Sequence, residues 1–211
     1  MDETSNSLSG TNHHQRGESL SLYLALADDA FYIQLEQQII ASGREGRQGM
    51  LHYYDYSIHM AQATGRLTMP ADGADWGAAL WSLPHEPHEN QPVTAQQKAA
   101  YFTEHLGRSA YEHYQAVCES MAKLTKPFID KTDWYLSIIA IAPEYQSRGF
   151  GKELMKPVLR EADEAGVSTY LETFVPRNIR FYERLGYAVI RELYEPVLAT
   201  HYHLLRRSAG G

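Results

Sequence analysis

The chain has 211 residues, which is enough for one α/β domain or for one domain with an elaboration. Apolar residues make up 44% and charged residues 21%, as in ordinary globular proteins. The formal net charge of −7 argues against a nucleic-acid partner, and no apolar run approaches the ~20 residues that cross a bilayer.

The N-terminal stretch and the cysteine content bear on location. Residues 1–19 are polar and lack the apolar stretch of a secretory signal, so the sequence predicts a disordered tail followed by one domain over residues 20–207. Cys118 is the single cysteine, which excludes an intrachain disulfide and suits a reducing compartment. We therefore expect a cytoplasmic protein in which Cys118 is a small buried side chain on a helix.

Two helices are predicted in the first third of the chain. Apolar residues recur every four positions behind Asp28 or Asp29, and either carboxylate can cap the start of a helix. Residues 42–49 are rich in glycine and charge and predict a loop. The helix after this loop is expected to end at Gly65, a residue typical of helix ends.

A hairpin and a helical segment follow. Strands near residues 67–69 and 77–83 flank a turn with proline and glycine, which predicts an antiparallel pair. Thr94 and Gln97 have the spacing of a capping box, and two helices separated by Gly107 are predicted after it.

The second half of the chain alternates strands and helices. Apolar runs over residues 134–142 and 168–174 predict strands, joined by a helix over residues 150–165 in which Pro157 is expected to introduce a kink. A short helix over residues 178–185 and an antiparallel strand pair come last. The order strand–helix–strand implies a parallel pair within a mixed sheet.

The stretch APEYQSRGFGKEL, residues 142–154, places two glycines between the first of these strands and the helix. Backbone N–H groups at a helix N-terminus form an anion site, and Gly149 and Gly151 let an anion approach the backbone. Charge supports this interpretation, because residues 146–184 hold seven Lys or Arg against six Asp or Glu in an otherwise acidic chain. The alternative is a tight turn without a ligand.

Spacing excludes two familiar phosphate motifs. A Walker A loop requires a glycine where Gln146 stands and a hydroxyl residue where Glu153 stands. A dinucleotide-binding fingerprint requires a third glycine where this chain has Leu154. The remaining pattern is Q-x-x-G-x-G between a strand and a helix.

That pattern is recognisable in its context. IAIAPEYQSRGFGKELMKPVL resembles motif A of the GNAT acyl-CoA N-acyltransferase superfamily, in which [QR]-x-x-G-x-[GA] binds the pyrophosphate of acetyl-CoA, and YLETFVPRNIRFYERLGYAVI resembles motif B. The further likeness of WYLSIIAI, PRN, FYERLGY and GAALWSLP points to the puromycin N-acetyltransferase-like branch. The resemblance covers roughly residues 133–195.

The resemblance implies an α/β fold with a GNAT-type mixed, mostly antiparallel sheet, flanked by helices, whose parallel central strands splay apart. Pantetheine would lie between those strands and bond to free backbone groups. The residues that the resemblance assigns to acetyl-CoA binding are Ile139, Ala140, Ile141, Gln146, Ser147, Arg148, Gly149, Phe150, Gly151, Lys152 and Asn178. His85 and His88 suggest zinc, but no third ligand has a suitable spacing, so no metal is expected.

Two residues are candidates for the chemistry that the resemblance implies. Tyr182 lies in FYERLGY, where the superfamily commonly places a tyrosine that protonates the coenzyme A thiolate; the alternative is a core aromatic residue. Glu172 lies within the second strand, where apolar neighbours would raise its pKa, so that it serves as a general base or attracts the amine. Its alternatives are a structural bond to Arg177 or Arg180, and a water relay without a dedicated base.

The sequence departs from the superfamily's pattern in two places. Val175 stands where an asparagine often contacts the coenzyme, and Asn178 is the nearest substitute. The strand that usually precedes the first helix has no clear counterpart in residues 1–21. The acceptor is expected to bind in the first half of the chain, where the aromatic residues available for a pocket are Tyr53, Tyr54, Tyr56, Trp76, Trp81 and Tyr111.

The implied function is an N-acetyltransferase that moves the acetyl group from acetyl-CoA to a primary amine of a small molecule, by direct transfer in a ternary complex. A protein or peptide N-acetyltransferase and a catalytically silent acyl-CoA-binding module stay open as alternatives. The expected partners are acetyl-CoA and an amine, with neither nucleic acid nor membrane. The net negative charge mildly favours a cationic acceptor.

Overall fold

A computed structural model describes residues 17–84 and 93–211. The helices in these ranges are α1 (Gly17–Ala25), α2 (Ala30–Ala41), α3 (Gly46–Thr64), α4 (Ala95–Leu106), α5 (Arg108–Thr125), α6 (Phe150–Ala165) and α7 (Ile179–Glu183). The strands are β1 (Arg66–Thr68), β2 (Gly77–Ser82), β3 (Trp134–Ile141), β4 (Thr169–Thr173), β5 (Ala188–Glu195) and β6 (Thr200–Arg207). None of the helices described has the length and apolar character that a membrane span requires.

The described strands form one mixed sheet in the order β1-β2-β3-β4-β6-β5. The pair β3 and β4 is parallel and is joined by α6, whereas every other neighbouring pair in this sheet is antiparallel. The predicted fold class, a mixed and mostly antiparallel sheet flanked by helices, is therefore confirmed.

The parallel pair is short and ends at a bulge. Residues 134–136 of β3 pair with residues 169–171 of β4, and the ladder stops there. On its other edge β3 continues along β2 with Ser137 as an extra residue, because Trp81 pairs with Leu136 while Leu80 pairs with Ile138. A bulge bends a strand and increases its twist. We call the space that opens between β3 and β4 beyond this point the strand gap.

Local sequence features explain most element boundaries. Asp29 caps α2 by accepting a hydrogen bond from the N–H of Phe31 at 2.9 Å, and Thr94 forms the predicted capping box with Gln97. The loop predicted over residues 42–49 is shorter in the structure. The reason is that the Glu45 side chain accepts from a backbone N–H of the next turn and so caps α3 from Gly46 onward.

The start of the chain is only partly described. The helix α1 begins at Gly17, within the stretch predicted as a disordered tail, and Ser19 is buried and donates a hydrogen bond to Asp55. Residues 1–16 lie outside the described ranges, so the first strand of the described sheet is β1.

Helices cover both faces of the sheet. On one face, α6 and α7 pack through residues such as Leu154 and Val158 against Leu136 and Leu171. On the opposite face, helices α1 to α5 form a second core around Ile138 and the outer residues of β2. The strand gap therefore has α6 and α7 on one side and the helices of the first half of the chain on the other.

Candidate functional site

The loop between β3 and α6 presents backbone N–H groups. Ser147 (φ 60°) and Gly149 (φ 90°) both adopt left-handed conformations, and Gly149 is the N-terminal cap of α6. Such conformations turn successive peptide groups towards one side and create a concave surface that suits an anion. Phe150 and Gly151 begin the helix, so their N–H groups have no intrahelical acceptor.

Side chains of the same loop add shape and positive charge. The guanidinium of Arg148 lies over two rings, 5.8 Å from the centroid of Tyr145 and 5.5 Å from that of Phe150. The Gln146 side chain donates to the carbonyl of Ile141 at 2.9 Å, which ties the loop to the end of β3. The loop thus carries an exposed cation on an aromatic support.

Gly149 and Gly151 are required for different structural reasons. A Cβ at Gly149 would meet no atom within 4 Å, so that position requires glycine because of its backbone conformation. A Cβ at Gly151 would stand 3.0 Å from ring atoms of Phe181, so Gly151 lets α7 approach the start of α6. The sequence interpretation, in which both glycines make room for an anion, did not include this helix contact.

The remaining predicted contacts lie around this loop. Lys152 is exposed in the first turn of α6. Asn178 is half-buried directly before α7, where its backbone N–H donates to the carbonyl of Val175 at 3.0 Å. Because Phe181 joins α7 to the helix start, Asn178 and Lys152 lie on neighbouring elements.

The backbone hydrogen-bonding groups of successive β3 residues point alternately towards β2 and towards the strand gap. Ala142 donates to the carbonyl of Trp76 at 2.7 Å, and hydrogen-bonded pairs alternate along an antiparallel ladder. Two residues earlier, Ala140 also faces β2, whereas the backbone groups of Ile139 and Ile141 face the gap. Of the three strand residues expected to bind the coenzyme, this register favours Ile139 and Ile141.

Tyr182 is buried on α7, on the α6 side of the sheet. Its ring lies 5.1 Å from that of Phe181 and 6.1 Å from that of Tyr187. Burial raises the pKa of Tyr182 above its ordinary value, with smaller contributions from Tyr187 and from the carboxylate of Asp29. The hydroxyl therefore stays protonated.

A cavity of about 870 Å³ opens on the opposite face of the sheet. Of the six aromatic residues proposed for an acceptor pocket, Tyr53, Tyr56 and Trp81 line it. The other three do not, because Tyr54 is fully buried in the core, Trp76 packs on Phe150 and Tyr111 packs on Phe102. Sequence reasoning missed the following aromatic residues of the wall: Phe31, Tyr32, Tyr114, Tyr135, Tyr170 and Phe174.

Glu172 lies in the wall of this cavity, on β4 next to the strand gap. It accepts hydrogen bonds from the hydroxyl of Thr125 and, at 3.0 Å, from the hydroxyl of Tyr135. Burial raises the pKa of Glu172, and the two hydrogen bonds lower it in part. The alternative of an ion pair with Arg177 is wrong, since Arg177 pairs with Asp28.

Besides Glu172 and several tyrosines, four titratable side chains line the cavity: Asp29, Lys98, Cys118 and the exposed Lys126. Burial raises the pKa of the Asp29 carboxyl to about 6, and it raises the pKa of the Cys118 thiol as well. The thiol is half-buried on the cavity wall rather than enclosed in the core as predicted. The sequence identified Asp29 only as a helix cap, and the helix of Lys98 lies outside both motifs.

Metal-binding clusters are not found among residues 17–84 and 93–211, where no three His, Cys, Asp or Glu side chains are arranged to hold an ion. His85 and His88, which were considered for zinc, lie outside these described ranges.

A glycine-containing helix start beside a gap between parallel strands is the arrangement that the resemblance leads us to expect of an acyl-CoA N-acyltransferase. Residues 79–187 match the model of the Acetyltransferase (GNAT) family. The match covers just over half of the chain, and the chain belongs to this family.

Individual relatives are distant. A 65-residue segment is 28% identical to the N-acetyltransferase C550.08 of Schizosaccharomyces pombe, covering 31% of this chain and 26% of that protein. The match thus spans about a quarter of the curated relative's length.

Two solved structures share the architecture over nearly the whole chain. A structure described as histone acetyltransferase HPA2 and related acetyltransferase, from Corynebacterium glutamicum, has a TM-score of 0.63 at 17% identity and covers 95% of this chain and 94% of its own. Arylalkylamine N-acetyltransferase 2 of Aedes aegypti has a TM-score of 0.59 at 13% identity, with coverages of 93% and 94%. At these identities the likeness shows the fold alone.

Proposed function

We propose that this chain transfers the acetyl group of acetyl-CoA to a primary amine of a small molecule by direct attack in a ternary complex. One observation carries the proposal: β3 and β4 stop pairing beyond Leu136 and Leu171, with the glycine loop and the helix of Tyr182 on one face of the sheet and Glu172 on the other. A donor thioester and an acceptor amine arriving from opposite faces would meet there. The likeness of residues 133–195 to the puromycin N-acetyltransferase-like branch supports the same acceptor type.

The donor side would hold the coenzyme through groups already described. The N–H groups of residues 147–151, with Arg148 and Lys152, suit a pyrophosphate, and Gln146 fixes the loop against β3. The backbone groups of Ile139 and the N–H of Ile141, whose carbonyl already accepts from Gln146, suit the amide groups of pantetheine. Acetyl-CoA supplies an activated thioester carbonyl, and an N–H from the gap would polarise its oxygen.

The acceptor side supplies a base. A primary amine is protonated near neutral pH and must lose a proton before it attacks. Glu172 faces the cavity with a raised pKa, which suits a group that accepts this proton while two hydroxyls hold its orientation. As the new C–N bond forms and the C–S bond breaks, the leaving thiolate would take the proton of the Tyr182 hydroxyl. The nitrogen would then lose its second proton, which would restore the Tyr182 hydroxyl.

The test measures release of the coenzyme A thiol from acetyl-CoA with arylalkylamines, amino acids, polyamines and peptides as acceptors. Tyr182→Phe should lower kcat about 100-fold or more and leave the Kd of acetyl-CoA within about threefold. Tyr187→Phe is the matched control, because it removes another buried hydroxyl in the same cluster, one that Thr169 binds at 2.7 Å. We expect its kcat to stay within about threefold of the original.

Three outcomes would contradict the proposal. Binding of acetyl-CoA without thiol release for any amine would favour a silent binding module. Release with peptides alone would favour a protein or peptide acetyltransferase. Equal losses in Tyr182→Phe and Tyr187→Phe would remove Tyr182 from the chemistry.

A further inference from the structure

Lys98 places an ammonium group in the aromatic wall of the cavity. Its Nζ lies 5.1 Å from the ring centroid of Tyr114, 5.7 Å from that of Phe102 and 6.0 Å from that of Tyr56. It donates one hydrogen bond, to the Tyr114 hydroxyl at 3.3 Å. An ammonium has three N–H donors, so this contact leaves donors for a ligand.

The charge of Lys98 has no carboxylate partner in the part of the chain that the structure describes, since none of the ion pairs found there includes it. Burial of a charge without a counterion is costly, and burial lowers the pKa of Lys98. Contacts with aromatic faces offset part of this cost. A ligand that brings a negative charge would offset the rest.

The acidic and basic groups of the cavity come from different walls. Glu172 belongs to the sheet and Asp29 to the turn before α2, whereas Lys98 belongs to α4, which packs on α3 and α5. A second lysine of the lining, Lys126, lies directly after α5 and is exposed to solvent. Aromatic rings such as Tyr53 and Tyr135 line the space together with these walls. An amine alone would use only the acidic groups and would leave the cation of Lys98 unpaired.

We propose that the acceptor is an aromatic amino acid, that is, a small molecule with a primary amine, a carboxylate and a flat ring. This inference rests on the proposed function. The amine lies at Glu172, the carboxylate pairs with Lys98, and the ring packs among the tyrosines. Lys98 is then the residue that distinguishes amino acids from simple amines.

Matched pairs of acceptors test this assignment. Phenylalanine differs from phenethylamine by a carboxylate close to the amine. 4-(Aminomethyl)benzoate differs from benzylamine by a carboxylate on the far side of the ring. We expect the intact protein to prefer the carboxylated member of at least one pair by about tenfold or more in kcat/KM, as for a charge-assisted hydrogen bond. In Lys98→Met, kcat/KM for that member should fall about tenfold or more, mainly through KM, and kcat/KM for its uncharged partner should stay within about threefold.

Lys123→Met is the control, because Lys123 is an exposed lysine on α5 outside the cavity wall. It should leave both members of each pair unchanged. Lys98→Gln repeats the test with a polar replacement, and the comparison of pairs in the intact protein does not depend on either variant.

The outcomes separate this inference from the proposed function. Failure of the intact protein to prefer the carboxylated member of either pair would overturn the inference while the acetyltransferase activity stands. Equal losses for both members in Lys98→Met would show that Lys98 serves packing alone. Absence of thiol release with every amine would instead overturn the proposed function.

Discussion

Replacing Gly149 by alanine separates binding by the loop from folding, because α6 offers a matched site at its other end. Gly149 caps the N-terminus of α6 at φ 90°, and Gly166 caps its C-terminus at φ 70°. A Cβ at either position would meet no atom within 4 Å. Both substitutions therefore strain the backbone without a steric clash, and only the first lies in the loop that we propose to bind the coenzyme.

The expected magnitudes follow from that geometry. An L-residue in a left-handed conformation costs about 1–2 kcal/mol, so both variants should lose about 1 kcal/mol of the free energy of unfolding. At position 149 the chain can relieve this strain by rotating towards negative φ, which turns the neighbouring peptide groups away from the ligand. Loss of one charge-assisted hydrogen bond, worth about 1.5–3 kcal/mol, weakens binding roughly 10- to 100-fold.

Two measurements decide the matter. Titration calorimetry with acetyl-CoA should give a Kd raised at least about tenfold for Gly149→Ala and unchanged within about twofold for Gly166→Ala. Urea unfolding should show similar losses of stability in the two variants. An unchanged Kd in Gly149→Ala, or equal changes of Kd in both variants, would refute the assignment of this loop to the coenzyme.

Two further predictions concern pH and stability. Thr125→Val removes a hydrogen bond that lowers the pKa of Glu172, so the acidic limb of the kcat/KM profile should move to higher pH; an unmoved limb would exclude Glu172 as the base. Asp163→Asn breaks the two-pronged pair with buried Arg207, whose bonds measure 2.6 and 2.8 Å. Urea unfolding at pH 7 should show that the free energy of unfolding falls by about 2 kcal/mol. Glu164→Gln, which breaks an exposed pair with Arg160, should lower it by under about 0.5 kcal/mol. Because Arg207 lowers the pKa of Asp163, this stabilisation is present above the unfolded pKa and is lost as pH falls through the folded one; a difference that persists in strong acid would contradict it.

The second half of the fold could be predicted because its determinants are local. The strands at residues 134–142 and 168–174 are short apolar runs, and the helix at residues 150–165 begins and ends at glycines. The structure places β3, β4 and α6 within a residue or so of these ranges. Because each signal lies within its own element, no knowledge of tertiary contacts was needed.

The surroundings of Glu172 could not be predicted in the same way. A carboxylate within an apolar strand is visible in the sequence, but Thr125 and Tyr135, which donate to it, are 47 and 37 residues away. Lys98 and Asp29 reach the same cavity from a helix and a turn whose sequence patterns give no sign of a binding site. Ser137 is visible as a polar residue in an apolar run, but that does not predict a bulge. The bulge depends on how β2 pairs with β3.

That bulge links the two halves of the site. It lies where the parallel ladder ends, and it brings Ser137 and Ile138 to the cavity side together. The pairing beyond this extra residue determines that the backbone groups of Ile139 and Ile141, and not those of Ala140, point towards the gap. The two segments that resemble the superfamily's motifs build the loop, the gap and α7, whereas helices before residue 126 build most of the cavity wall. The motifs therefore bear on the acyl donor, and the acceptor has to be inferred from Glu172, Lys98 and the rings around them.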